Sequence, residues 1–388
     1  MSKAVKLGEI GNFVSGGTPS RKHPEYFEGS IPWVSTPALN GGMIDEADAV
    51  QMITEQAIAS SATKLLPPRS LLIGVRVGVG KTAVNLVPMC TNQDIVAITG
   101  VDESLWDIRY VSYAVQAKSS YLVSQKQGAT ITGITSKLLK GVEIQQRSIE
   151  DQRCCVRMLD SVKDRIKDAS DGIEKLDELV KSRFVEMFGT PHEMDRWRVC
   201  DVSEIADVTV GVVVKPAQYY VEEGEGVRAF RSLNIAPMRV KNDSWVYFSK
   251  EGNEKNKKSQ LHAGDVVLVR SGAPGVACVV TQEYEGCNAV DIIIARLDKD
   301  QVDPVFFAAF MNYPHGQVQI TDGTGGSAQQ HFNVGTCKKM RFVLPPLSLQ
   351  QEFAAFVQQV DKLKFETQQA IEKLQLLYDS LAQEYFGG

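Results

Sequence analysis

The chain has 388 residues, 43% of them hydrophobic and 23% charged, with a formal net charge of −5. That is the balance of a soluble globular protein with room for roughly two to four domains, and it excludes a generally basic nucleic-acid coat. A nucleic-acid footprint on such a chain has to be a local patch.

Cysteine and histidine usage narrows the class further. Cys90, Cys154, Cys155, Cys200, Cys278, Cys287 and Cys337 make no CxxC pair and histidine is scarce, so a zinc site is not expected. Reduced, cytoplasmic surroundings fit this pattern. No run of about 18 apolar residues occurs, so no membrane span is expected; the opening residues lead straight into patterned sequence, so no signal peptide is expected either.

In chain order, residues 5–14 carry an apolar rhythm that breaks at Ser15-Gly16-Gly17-Thr18-Pro19-Ser20-Arg21-Lys22, a hydroxyl-rich loop ending in two cations. Ile31 to Thr36 predicts a short strand with polar groups at its tip. Residues 51–65 predict a short helix. Ser70 to Ile73 predicts a buried strand followed by the glycine turn Gly74 to Thr82, and Asn92 to Ile98 another strand. Residues 105–122 predict a helix. Gly128 to Ile134 is a β-branched, alternating stretch, and Val142 to Ile144 leads into a long helix.

In that helix Leu159, Val162, Ile166, Ala169, Ile173, Leu176, Val180 and Met187 alternate steps of three and four, with Arg183 interrupting. Such a series is a coiled-coil seam. Ser148 with Asp151 supplies an acidic capping box at its start. A second series comes after Pro345-Pro346: Phe353, Phe356, Val360, Leu363, Ala370, Leu374, Leu377 and Leu381, with Thr367 as its polar member and Ser348 with Gln351 as the expected capping box. Helices of about 36–40 residues run ~54–60 Å, and a period of 3.5 favours helix on helix. The two are expected to pack antiparallel.

The chain is a tandem repeat. Ile173-Glu174-Lys175-Leu176 recurs as Ile371-Glu372-Lys373-Leu374, and Phe188-Gly189 as Phe386-Gly387, both 198 positions on. Val202 to Ile205 repeats Leu7 to Ile10. Val227 to Ser232 stands where Ile31 to Thr36 stood, and Asp265 to Gly272 repeats the Ser70 strand with its turn. Asn288 to Ile294 repeats the Asn92 strand, and Phe306 to Met311 part of the 105–122 helix. Gly326 to Phe332 replaces Gly128 to Ile134. The framework is kept while the polar residues at strand ends and loops diverge.

Enzymatic motifs fail on inspection. Gly80-Lys81-Thr82 fits the end of a phosphate loop, but the leading position holds Val75 rather than glycine, and the second copy, Gly272 to Val276, has no lysine. No His/Asp/Ser arrangement recurs in both halves. No amino-methyltransferase tetrapeptide or glycine-rich cofactor loop is present. A chain without catalytic activity is expected.

These features together resemble the specificity subunit of type I restriction-modification enzymes. The resemblance is carried by Leu7 to Ile10 running to Ser15 to Ser20, by Ile31 to Thr36, and by the two helix ends, Ile173 to Gly189 and Ile371 to Gly387. It implies an α+β fold: two β-rich mixed α/β target-recognition domains, 1–145 and 191–345, joined by a central helix, 146–190, and a distal helix, 346–388. It implies a DNA-binding subunit that reads a bipartite, asymmetric target, one domain per half-site, through the major groove. The helix pair sets the gap and docks two modification subunits, which bring S-adenosylmethionine; restriction subunits bring ATP and Mg. No cofactor is expected on this chain itself. Gly211-Val212-Val213-Val214-Lys215 departs from the family, because the first half has its Ser-Gly-Gly-Thr-Pro loop there.

Base reading needs donors and acceptors on loops and strand ends. The expected contacts in the first domain are Ser15, Thr18, Arg21, Lys22, Ser35, Thr36, Arg76, Lys81, Thr130 and Thr132. In the second they are Lys215, Arg228, Arg231, Ser232, Asn234, Arg270, Ser271, Gln329, Gln330 and His331. The rival reading is a coiled-coil scaffold or adaptor whose β-rich domains bind proteins, which the net acidic charge would suit.

Overall fold

The computed structural model describes residues 3–126, 132–322 and 332–387. It forms two compact units, Met1–Ala169 with Gln369–Gly388 and Ser170–Gln368. The central helix, Ile149–Phe188, and the distal helix, Leu347–Phe386, each give one part to each unit.

In the first unit, Lys3–Lys6 pairs antiparallel with Glu143–Gln146, so the two ends of the domain meet just before the central helix. A five-stranded sheet runs in the order Asn12–Ser15, Ile95–Thr99, Leu71–Gly74, Thr82–Asn85, Met43–Ile44. Both of its faces are covered, which is why Leu71-Leu72-Ile73 reads as an unbroken apolar run. Leu71 and Ile73 pack with Tyr110 and Val111 of the helix Ile108–Ala117 and with Leu159 of the central helix. Leu72 faces the other way, with Val34, Leu39, Ile44 and Met89. A smaller sheet orders Gln51–Ile53, Ile31–Val34 and Cys90–Thr91.

The second unit repeats this plan. Arg198–Asp201 pairs with Arg341–Leu344. The main sheet runs Ala206–Val210, Ile292–Leu297, Val266–Val269, Ala277–Val279. Its companion runs Tyr220–Val221, Val246–Phe248, Val227–Phe230, Asn288–Ala289. The additions are local: the first unit gains Met43–Ile44 alongside Thr82–Asn85, and the second carries the hairpin Ile235–Ala236 with Arg239–Val240.

The long helices run antiparallel, as either unit shows by itself. In the first, Arg147 donates to Tyr385 O (3.1 Å) and the Lys163 ammonium lies 5.4 Å from the Tyr378 ring. In the second, Arg183 pairs with Glu352 (3.1 Å) and Lys364 with Asp177. At the start of the central helix, Ser148 Oγ accepts from Asp151 N–H (3.1 Å) and donates to its carboxylate (2.7 Å). At its end Gly189 takes φ +87° and donates to Val185 O (2.8 Å), the left-handed stop that favours glycine. Gly387 donates in the same way to Gln383 O (2.8 Å).

Three expectations are corrected. The helix over 51–65 shrinks to Glu55–Ala59, because Gln51–Ile53 finds strand partners in Ile31–Trp33 and Ile53 is fully buried there. Ser348 lies inside the first turn of the distal helix, which begins at Leu347 and is closed by Pro346 O accepting from Leu349 and Gln350 N–H, so Ser348 cannot cap it. The distal seam is also off by one residue at alternate positions. Leu363 and Leu377 are about half exposed, while Lys364 and Tyr378 face the partner helix. The central seam falls as expected, with Leu159, Val162 and Val180 buried.

Candidate nucleic-acid interface

In the first unit, two loops and the short segment at Thr132 and Gly133 converge at one end of the main sheet. Strand Asn12–Ser15 leaves the sheet into the glycine loop, where Gly16 N–H donates to Ile95 O (3.1 Å) and Gly17 N–H to Thr91 O (2.9 Å). Trp33 Nε1–H donates to Gly17 O (3.1 Å) and pins the loop against the second sheet. Ser15 and Thr18 are thereby held at the surface, with the Thr18 hydroxyl bonded to Gln93. Arg21 and Lys22 follow, exposed, and the Arg21 guanidinium lies 5.9 Å from the Phe27 ring.

The second loop is the glycine turn after Leu71–Gly74. Gly78 and Gly80 take φ +61° and +82°, and a Cβ on Gly78 would come within 2.7 Å of the Thr36 methyl. The amides of Gly74, Gly80 and Lys81 are spent inside the turn, on Lys81 O, Gly74 O and Gly78 O (2.9–3.0 Å). Such a turn cannot wrap a phosphate with those donors. What it presents instead is two side chains, Arg76 and Lys81, both exposed. Arg76 stands 4.0 Å from Asp94, and Gly133 packs closely on Arg76, which brings exposed Thr132 alongside.

The second unit gathers the same kind of side chain at the same end of its own sheet. Gly211 N–H donates to Ile292 O (2.9 Å) and Val212 N–H to Ala289 O (2.7 Å), fixing the loop that ends at Lys215. Arg270 follows strand Val266–Val269 and pairs with Asp291, as Arg76 does with Asp94. Arg231 follows strand Val227–Phe230 and donates to Ser244 O, with half-buried Ser232 beside it. Ser271 comes next after Arg270 and is half-buried. Arg228 sits 3.6 Å from Glu283 and 5.5 Å from the Trp245 ring.

Two expected contacts are withdrawn from the surface. Thr36 is 3% exposed and packs under Gly78. Asn234 is fully buried: its side-chain oxygen accepts from Arg231 N–H (2.9 Å) and its amide donates to Asp243 O (2.7 Å), so it is the glue of the loop rather than a reader. Ser35, next to Thr36, stays half-exposed. Thr130, Gln329, Gln330 and His331 lie outside the described residues.

Sequence reasoning passed over Gln93, Asp94 and Asp291, which hold Thr18, Arg76 and Arg270. Their signal was available: Asp94 and Asp291 each precede the repeated apolar strand by one residue. Among the described residues no helix is long and apolar enough to cross a membrane, and no group of three His, Cys, Asp or Glu side chains could hold a metal ion.

The family model for the type I restriction modification DNA specificity domain matches residues 2–175 and 234–376. The specificity subunit of the Escherichia coli type I restriction enzyme EcoR124I/EcoR124II is 31% identical over 185 residues, covering 46% of this chain and 45% of that one. That of MjaIX from Methanocaldococcus jannaschii is 23% identical over 403 residues, covering 97% and 90%. Among solved structures, the S subunit of a type I restriction-modification system from M. genitalium superposes with a TM-score of 0.55 at 14% identity, over 100% of this chain and 96% of that one. A structure from work on complex assembly and conformational transition of the type I R-M system gives 0.66 at 15% identity, over 99% and 97%.

Proposed function

The chain belongs to the type I restriction-modification DNA specificity family, and from that premise we propose that it is the non-catalytic subunit that reads a bipartite duplex target. Each unit takes one half-site through the major groove, and the chain docks two modification subunits and, through them, restriction subunits. S-adenosylmethionine is held by the modification subunits, ATP and Mg by the restriction subunits. The observation that carries this reading is the tip that each unit builds at one end of its own sheet: Thr18, Arg76, Lys81 and Thr132 in the first, Lys215, Arg231, Ser232 and Arg270 in the second.

The chemistry suits the task. Arginine and lysine make the commonest specific contact, to guanine O6 and N7, and hydroxyls serve either base. Arg21, Lys22, Ser15 and Ser35 in the first unit, and Arg228 and Ser271 in the second, extend the same surface to phosphates, which position without specifying. The overall charge of −5 makes the binding depend on these local cations.

The test is an exchange. Residues 1–145 are replaced by those of a relative with a different target, and methylated sites are mapped with the modification subunit present. One half-site should change and the other persist. Change at both overturns one domain per half-site, and duplex DNA binding that does not weaken with salt overturns the reading in favour of a protein-binding scaffold.

A further inference from the structure

We propose that Val213 and Val214 form an apolar prong that reads the C5-methyl group of a thymine in the half-site taken by the second unit. The inference rests on the functional reading above and adds the base chemistry of one half-site. Val214 is 75% exposed, the most exposed large apolar residue among those described, and Val213 beside it is 48% exposed.

The loop is not a loose one that happens to show valines. Gly211 and Val212 N–H donate to Ile292 O and Ala289 O, and Val212 O in turn accepts from Asp291 N–H (3.2 Å). Gly211 is buried so closely against the Ala289 carbonyl that any side chain would collide. On the far side Lys215 holds φ +45°, a left-handed conformation uncommon for a residue with a Cβ, and Pro216 follows it. β-Branched side chains are stiff at χ1, so two valines held this way lose little entropy on contact.

What surrounds the prong identifies its occupant. Lys215 is next in the chain. Asp291, bonded to Val212, carries the Arg270 guanidinium. Val290 N–H donates to Phe230 O, which brings the Arg231 turn to the same edge. Asp291 offsets only Arg270, and an apolar protein surface has no use for the remaining positive charge of Lys215 and Arg231. The major groove of duplex DNA suits both: guanine O6 and N7 for the cations, and the thymine methyl, which is the apolar group on its base edges. The first unit's corresponding loop, Ser15 to Pro19, offers hydroxyls and glycines and no aliphatic tip. The first unit's nearest aliphatic side chain at its tip is a single valine, Val77, 61% exposed in the glycine turn beside Arg76, so the paired prong belongs to the second unit alone.

The experiment uses the full chain with its modification subunits and duplexes carrying the mapped target, in which each thymine is replaced singly by deoxyuridine. The exchange of residues 1–145 identifies the second unit's half-site as the one that persists. At one thymine there, loss of the methyl should weaken binding roughly three- to fivefold, the worth of about one buried methyl group. The double variant Val213→Ser, Val214→Ser should bind thymine and uracil duplexes alike while keeping its salt-dependent binding to DNA, and Val214→Ala alone should reduce the difference. A second half-site without a uracil-sensitive thymine, or sensitivity that persists in the double variant, overturns the proposal. So does a variant that loses assembly with the modification subunits instead of base discrimination, since the prong would then face protein. If the wild-type complex binds no duplex specifically, the functional reading itself fails.

Discussion

Where the long helices meet their units, the second unit gathers a large cluster of rings, and the first sets a charged cluster beside a single ring pair, Tyr110 and Phe386. In the second, Phe184 is fully buried, with the rings of Phe188, Phe306, Tyr313, His315 and Phe353 all 5.0–5.6 Å from it. In the first, Arg109 makes a two-pronged bond to Asp160 (2.8 and 2.6 Å), and Tyr113 OH joins the same carboxylate. The Lys163 ammonium lies 4.7 Å from the Tyr113 ring and 5.4 Å from that of Tyr378. Burial pushes the Lys163 pKa down, the Arg109 charge pushes the same way, and Asp160 offsets part of it. Phe188 and Phe386, 198 positions apart, keep one ring pair in both units, on Phe306 (4.6 Å) and on Tyr110 (5.0 Å), while the charged cluster is the first unit's own addition. The ring pair was kept, and the side chains packed around it were free to diverge.

That difference can be measured. Phe184→Ala should cost about 3–5 kcal/mol, the range for truncating a buried aromatic ring. Asp160→Ala leaves a partly exposed arginine that water can serve and a buried Tyr113 hydroxyl that still accepts from Arg109 (3.3 Å), and should cost less, about 1–3 kcal/mol. Thermal unfolding ranks the two, and hydrogen exchange resolved along the chain locates them, with protection lost in the second unit for Phe184→Ala and in the first for Asp160→Ala. Equal losses would mean that the charged contact is as deeply anchored as the aromatic one.

The counterpart is a device that did not diverge. Gln152 and Gln350, 198 positions apart, are both fully buried. Gln152 accepts from Asp107 N–H (2.9 Å) and donates to Leu105 O and Arg147 O (both 2.9 Å). Gln350 accepts from Asp303 N–H (2.9 Å) and donates to Gln301 O (3.0 Å) and Pro345 O (2.8 Å). Asp107 and Asp303 cap the helices Ile108–Ala117 and Pro304–Asn312, so each glutamine ties a capped helix to the first turn of a long one. Leucine at either position leaves one N–H and two carbonyls without this partner. A loss of about 1–3 kcal/mol is expected, similar in the two units, read as the drop in unfolding temperature. A large loss in one unit and none in the other would show that the repeat is one of form only.

The glutamines also show how much was legible. The repeat offset is plain in Ile173 to Leu176 and Ile371 to Leu374, and it places the distal seam better than hydrophobicity does. Carried over by 198 positions, Leu159, Val162, Ile166, Ala169, Ile173, Leu176 and Val180 fall on Val357, Val360, Lys364, Thr367, Ile371, Leu374 and Tyr378. Lys364 and Tyr378 do meet the partner helix, and Leu363 and Leu377 are 48% and 46% exposed. Hydrophobicity misplaced alternate positions because a seam near water accepts a lysine stem or a tyrosine ring. At the tips, strand ends and glycine turns were readable from pattern. Whether a given side chain pointed out was not: Thr36 is buried by a turn some forty residues away, and Asn234 by its own loop.

The smallest effect expected is one of pH, at the edge of the aromatic cluster. His315 is 1% exposed, between Phe184 and Phe310, and neither ring nitrogen makes a hydrogen bond of normal geometry. Burial pushes its pKa below the usual histidine value, and the backbone near Thr190 and Gly189 offsets only part of that. The folded chain therefore resists a proton that the unfolded chain takes up near pH 6.5. Its contribution to stability is full above that pH and is lost as pH falls through the folded pKa, at up to ~1.4 kcal/mol per pH unit for one proton. The first unit has no histidine in its helix contact, so the acid loss should fall on the second unit alone. His315→Leu should flatten the slope of unfolding temperature between pH 7.5 and 5.5 while keeping the ring packing. An unchanged slope would mean that the imidazole finds a partner when protonated, and that the aromatic contact is less dry than Phe184 makes it.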